Sequence, residues 1–174
     1  EIINATKGKL VRGNPDTTIE GIFTDSRKMQ KKELFVALGG EKFDGHDFLN
    51  QVAEKGGIAA IISRPVDVNL PILIEVDDTL RAYGDIAKAY RQKFKIPIIA
   101  ITGSNGKTTT KNMTTSILSR RFCVLSPEKS FNNQIGVPAT LLKLDAQHEV
   151  AVLELGTNMP GEIARLTQLT EPNI

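Results

Sequence analysis

One cysteine, two histidines and no tryptophan stand in a chain of 174 residues. Cys123 has no second cysteine to pair with, so a disulfide framework is excluded and a reducing compartment, the cytoplasm, is expected. His46, His148 and Cys123 together are too few and too scattered for a Cys/His zinc site. No apolar run approaches the roughly 20 residues that a membrane helix needs, so membrane insertion is not expected. The opening Glu1-Ile2-Ile3-Asn4 lacks an initiator methionine and the basic-then-apolar layout of a secretory signal. A net charge of +2 with 5% aromatic residues gives no sign of a nucleic-acid surface. What remains is an ordinary globular composition, 40% hydrophobic and 24% charged, with enough chain for one domain or two small ones.

No repeat or low-complexity segment is visible. Strand-like runs alternate with helix-like stretches, which predicts an α/β fold. Leu34–Leu38 reads as a buried strand closed by Gly39-Gly40. His46–Lys55 reads as a helix with Phe48, Leu49, Val52 and Ala53 on one face, stopped by Gly56-Gly57. Ile58–Ile62 and Ile72–Val76 read as two further buried strands. Asp78 is placed to cap a helix running to Phe94, along which Leu80, Tyr83, Ala87, Tyr90 and Phe94 form one stripe. The chain thus divides into a small mixed α/β domain over 1–77, a connecting helix over 78–94 and a second domain over 95–174. In that second domain Ile96–Thr102, Cys123–Leu125 and Val150–Leu155 read as strands. Lys107–Ser119, Pro138–Leu144 and Gly161–Leu169 read as helices, with proline in a permitted first turn. This βαβαβα order predicts a parallel sheet. The chain ends at Glu171-Pro172-Asn173-Ile174, where another strand is due, as expected of a piece of a longer protein.

Ile98-Ile99-Ala100-Ile101-Thr102-Gly103-Ser104-Asn105-Gly106-Lys107-Thr108-Thr109 carries the sharpest chemical signal. An apolar strand enters a glycine loop, and the loop enters a helix. Gly103 and Gly106 allow a tight turn whose amides point inward, and the first helical amides are unpaired donors at the positive end of the helix dipole. Lys107 adds a cation for β and γ phosphates, and the Thr108 hydroxyl is suited to magnesium. The common phosphate loop has four residues before its Gly-Lys pair; this one has two, Ser104 and Asn105. A plain strand-turn-helix is the bland alternative.

Glu154 closes the run Val150–Leu155. In open parallel sheets, ligands bind beyond the carboxyl ends of the strands, so Glu154 is a candidate magnesium ligand beside Thr108. Otherwise it is a solvated glutamate at a strand end. Ser130–Pro138, containing Phe131-Asn132-Asn133-Gln134-Ile135-Gly136, precedes a helix and is due at the same sheet edge. Asn132 and Asn133 offer uncharged donors and acceptors for a substrate, or make an asparagine turn. Cys123 reads as a small buried hydrophobe, and Lys28, Lys31 and Lys32 as a solvated face.

The shortened loop Thr102–Thr109 resembles the ATP loop of the Mur ligases and the related folylpolyglutamate synthetases. Phe131–Pro138, Glu154-Leu155-Gly156, and in the first domain Thr24–Lys28, Leu34–Gly40 and Phe43–Phe48 resemble Mur ligases in particular. The resemblance implies a UDP-sugar-binding first domain followed by the first half of a P-loop-type parallel-sheet ATPase domain. It implies a peptidoglycan-precursor ligase with ATP and Mg2+ as cofactors, in which the γ-phosphoryl group activates a carboxylate as an acyl phosphate and an amine displaces phosphate. The branch of the family that the asparagine segment resembles uses the carboxylate of UDP-N-acetylmuramoyl-tripeptide and the amine of D-alanyl-D-alanine.

Under that resemblance Gly103, Ser104, Asn105, Gly106, Lys107, Thr108 and Thr109 bind ATP. Lys107 and Glu154 are catalytic, and Thr108 and Glu154 hold the metal. Thr24, Asp25, Ser26 and Arg27 seat the UDP end, and Asn132 and Asn133 steady the sugar. His46 is open between a substrate role and an exposed helix start. A metal-assisting histidine, a carbamylated lysine and a third domain are expected beyond Ile174, leaving these residues alone inactive. A monomer without nucleic-acid partners is expected. A folylpolyglutamate-type ligase and a nucleotide-binding module stay open as alternatives.

Overall fold

The computed structural model describes residues 1–40, 43–127 and 131–174. Two compact units emerge, Glu1–Ile86 and Ala87–Ile174, and the division falls inside one helix, α3 (Thr79–Arg91) when numbered in chain order.

The first unit starts with the short helix α1 (Ile2–Thr6). Its sheet holds β1 (Lys9–Arg12), β2 (Ile22–Phe23), β3 (Leu34–Val36), β4 (Ala59–Ile62) and β5 (Ile72–Glu75), in the order β1-β5-β4-β3-β2. The strands from β2 to β5 run parallel, and β1 lies antiparallel along β5. Continuous apolar runs build the middle strands because both of their faces are covered. Phe35, Ala60, Ile62 and Leu73 meet Leu49 and Val52 of α2 (Leu49–Glu54) in one core. Periodicity misses β1, since Lys-Leu-Val-Arg is short, polar at both ends and mostly exposed at a sheet edge.

The helix expected from His46 onward begins instead with a 3-10 turn over Gly45–Phe48. His46 is no exposed helix-start residue: it is buried. Its Nε2 accepts the Ser63 N–H at 3.0 Å, so the ring proton sits on Nδ1, which donates to Asp44 Oδ1. Asp44 also accepts the His46 N–H and a 2.8 Å bond from Arg64 Nη2. The His46 amide, then its ring, draw the Asp44 carboxyl down from 3.8 to about 2.

The second unit holds β6 (Ile98–Ile101), α4 (Lys107–Leu118), β7 (Val124–Leu125), α5 (Gly136–Leu141), β8 (Val150–Glu154) and α6 (Glu162–Thr170). Its sheet order is β6-β8-β7, with every pair parallel, as the βαβαβα pattern predicts. On the other edge of β6, the Asn173 N–H donates to Ile98 O and the Ala100 N–H donates to Ile174 O, each at 2.9 Å. Ile98, Leu141, Leu153, Leu166 and Leu169 form the core. Tyr90 of α3 seals one side, its hydroxyl donating to Leu144 O at 2.8 Å and its ring meeting Phe94 edge-on at 5.3 Å. Pro138 is the third residue of α5, where its missing N–H breaks no helical bond. Cys123 departs from expectation. β7 begins one residue later, leaving Cys123 exposed between the bend at Phe122 and the strand, its N–H donating to the Glu149 carboxylate.

The Asp44 network has a pH signature. A carboxyl depressed from 3.8 to about 2 on folding contributes stability above pH 3.8, and that contribution is lost as pH falls toward 2. Asp44→Asn keeps an acceptor for the His46 amide but removes the charge. Thermal melts should show the variant below the wild type at pH 5, with the gap narrowing steadily as pH falls from about 4 toward 2. A gap of constant size would contradict this linkage.

Candidate functional site

Register decides what meets at the sheet edge. In the parallel β6–β8 pair, Ile101 lies opposite Glu154, so both strands run out at the same height. The chain leaves β6 into the glycine loop, and Glu154 ends β8 beside it. Gly106 caps α4 with φ +78°, and Gly103 has φ +139°, backbone conformations that side-chain-bearing residues rarely hold. Lys107 arches back over the turn, its Nζ donating to Gly103 O at 2.7 Å. A cavity of about 290 Å³ opens here, lined by Ser104–Thr109, Asn132 and Glu154.

Glu154 is only 2% exposed, so it is not a solvated strand-end glutamate. Thr108 Oγ1 donates to its Oε2 at 2.8 Å, and Asn132 Nδ2 donates to its Oε1 at 2.8 Å. Both donors are neutral, and no cation among the described residues pairs with it. A buried carboxylate without a countercharge is costly. The donor set answers that cost. A carboxylate and a hydroxyl are hard oxygen ligands, and magnesium takes one or two carboxylates and completes its shell with phosphate oxygens and water. No cluster of three or more His, Cys, Asp or Glu exists among the described residues to form an all-protein cage.

The two asparagines part company. Asn132 faces Glu154, whereas Asn133 Oδ1 accepts the N–H groups of Ile135 and Gly136 at 3.1 and 2.8 Å, shaping the entry to α5. Ser130 lies outside the described residues. Thr24–Arg27 belong to the first unit. There Arg27 binds Asp25 through Nε and Nη2, both at 2.9 Å, and this pairing leads in drawing the Asp25 carboxyl down to about 2. Ser26 is buried and donates to Gln51 Oε1 at 2.7 Å. Thr24 is half-buried.

Three contributors escape sequence reasoning. Lys111 is 2% exposed and donates to Pro127 O at 2.6 Å, while Thr115 on the same helix face reaches Ser126 Oγ at 3.1 Å. The spacing Thr108–Lys111–Thr115 marks one polar face turned inward. Glu162 accepts the Asn158 and Met159 N–H groups, Thr157 Oγ1 and Gln134 Nε2. Its carboxyl lies below its ordinary value, the Asn158 amide leading. Gly156 carries the third signal: a Cβ there would stand 2.7 Å from Asn132 Cγ and Nδ2. A second depression of about 420 Å³, lined by Thr157–Gly161 and Ile163, holds no titratable side chain.

Strand, short glycine loop, α4 and the carboxylate of the adjacent strand define a parallel α/β sheet edge of the phosphate-loop type. Comparison with known proteins places it further. Residues 101–174 match the Mur ligase middle domain and residues 18–91 match the Mur ligase family, catalytic domain. The chain belongs to the Mur ligase family. It is 47% identical over 157 residues to the UDP-N-acetylmuramoyl-tripeptide–D-alanyl-D-alanine ligase of Escherichia coli (strain K12), covering 90% of this chain and 34% of the relative. The enzyme of the same name from Bacillus subtilis (strain 168) is 43% identical over 178 aligned positions, covering 99% of this chain and 38% of the relative. Among solved structures, a crystal structure of MurF from Acinetobacter baumannii superposes with a TM-score of 0.93 at 41% identity, covering 98% of this chain and 38% of that one. MurF from Thermotoga maritima in complex with ADP superposes with a TM-score of 0.82 at 29% identity, covering 91% of this chain and 37% of that one. The chain therefore spans between a third and two fifths of the length of these curated relatives.

Gly106→Ala tests the turn. The added Cβ meets nothing within 4 Å, so the cost is conformational alone, about 1–2 kcal/mol for a left-handed residue. Urea unfolding should show a loss of that size. An unchanged midpoint would mean that the turn relaxes at no cost.

Proposed function

We propose that the full-length protein is an ATP-dependent ligase of peptidoglycan precursor synthesis, joining D-alanyl-D-alanine to UDP-N-acetylmuramoyl-tripeptide. The observation that carries this reading is the buried Glu154, paired with no cation among the described residues and held by Thr108 at the mouth of the short glycine loop. The names of the curated relatives supply the substrate classes.

Residues 1–77 serve as the UDP-sugar domain, 78–94 as the connecting helix and 95–174 as the ATP domain. The loop amides of 103–109 and Lys107 cradle the ATP phosphates, exchanging the Gly103 carbonyl for phosphate oxygens at Nζ. Glu154 and Thr108 present oxygens to magnesium, which when bound neutralises charge on the transferring group. Positioning and charge compensation are what phosphoryl transfer requires. The substrate carboxylate attacks the γ-phosphorus, and the bond to the β–γ bridging oxygen breaks, giving acyl phosphate and ADP. The amine lone pair then attacks the acyl carbon. Phosphate leaves with the C–O electron pair, and the amine loses a proton. Thr24–Arg27 contribute to seating the UDP end, and Asn133 borders the sugar. The reading places the enzyme in the cytoplasm as a monomer; no helix among the described residues is long and apolar enough to cross a membrane.

The deciding assay follows ATP-dependent phosphate release by the full-length protein, offering UDP-N-acetylmuramoyl-tripeptide with each candidate amine in turn. Release that depends on D-alanyl-D-alanine is expected. Release with a different amine only, or with a folate substrate, would overturn the assignment.

Lys107→Ala should lower turnover at least about 100-fold, the scale of losing one preorganised charge contact, without a change in melting temperature. Glu154→Gln should move the magnesium titration to higher concentration at saturating ATP. Superimposable titrations would remove Glu154 from the metal site.

A further inference from the structure

Asn132 is expected from the resemblance to steady a sugar, yet its geometry serves another group. Its Nδ2 donates to Glu154 Oε1 at 2.8 Å, and its carbonyl oxygen accepts the Gly156 N–H at 2.8 Å. Backbone and side chain of one residue thus grip both ends of the Glu154–Gly156 segment. Gly156 is built for this grip. A Cβ there would stand 2.7 Å from Asn132 Cγ and Nδ2 and 2.9 Å from Oδ1, closer than packed atoms approach. Only hydrogen at that position leaves room for the Asn132 amide.

We propose that Asn132 is a positioning residue for Glu154: it fixes the carboxylate plane so that Glu154 and the Thr108 hydroxyl oxygen converge on one divalent cation. The proposal rests on the reading that Thr108 and Glu154 take the cation that accompanies the nucleotide. A carboxylate offers about four lone-pair sites, of which Thr108 and Asn132 use one on each oxygen. The remaining pair borders the cavity that the loop residues line. An uncharged donor is the suitable clamp. A lysine or arginine here would neutralise Glu154 and compete with the metal, whereas an amide sets the angle and leaves the charge in place. Groups that orient metal ligands in this way typically account for about 10–100-fold in metal affinity.

The test measures ADP binding to the full-length protein by calorimetry, with magnesium and with EDTA, beside steady-state kinetics. In the wild type, magnesium should tighten ADP binding. Asn132→Asp, which keeps the shape but sets a second acceptor against Glu154, and Asn132→Ala should each lose at least 10-fold of that magnesium-dependent gain. Binding in EDTA and KM for the UDP substrate should stay within about twofold, a split that general loosening of the loop would not produce. Gly156→Ala retains every donor but displaces the Asn132 amide, and should lose the same gain. Asn132 variants that keep the full magnesium gain but raise KM for the UDP substrate would overturn the proposal and make Asn132 a sugar contact. A wild type with no magnesium gain would instead overturn the metal reading of Thr108 and Glu154, and the proposal with it.

Discussion

The parallel pairing of β6 with β8 is the constraint on which the site depends. Ile101 opposite Glu154 brings the exit of one strand level with the end of the next. A slip of one residue would turn the Glu154 side chain to the opposite face of the sheet, because side chains alternate along a strand. That register is protected by apolar packing on the face that carries Ile98, Ala151 and Leu153. Core packing and site geometry are therefore one problem here: the same alternation that buries Leu153 delivers its neighbour to the phosphate loop.

Glu154 differs from the carboxylates of the local turns in the donors it accepts. Asp25, Asp44, Asp78, Asp145 and Glu162 accept backbone N–H groups within a few residues of themselves. They cap helices and close turns, and their partners come with the local chain. Among the described residues Glu154 accepts side-chain donors alone, Thr108 and Asn132, from positions 46 and 22 residues away. A carboxylate satisfied by its own turn is part of the scaffold. One assembled from three distant segments exists only in the folded unit, and its donors can rearrange toward a ligand without opening a backbone bond.

Much of the fold was legible because it obeys simple periods. Continuous apolar runs gave the buried strands, and the βαβαβα order gave the parallel sheet of the second unit. The glycine loop, Lys107 and Thr108 were legible because they are contiguous. What escaped depends on contacts between distant positions. β1 is too short and polar to show a period. Lys111 carries no local sign of burial, and only the fold sets it against Pro127. Asn132 and Asn133, adjacent and identical in type, point to different tasks, and no local pattern separates them. Cys123 misses the strand by a single residue, and with it the burial that its place beside an apolar run predicts.

Helix α4 buries a lysine and no apolar side chain, while Met113 and Ile117 stand exposed. Its inward contacts are polar: Thr108 reaches Glu154 at the end of β8, while Lys111 and Thr115 reach Pro127 and Ser126 just past β7. The helix that offers its N-terminus to phosphates is thus tied through one polar face to the ends of two neighbouring strands. Directional bonds fix where that N-terminus stands more tightly than non-directional apolar contact does. The same hydroxyl that ties the helix to β8 is the one nearest the phosphate loop, so seating the helix and aiming its first turn are one act.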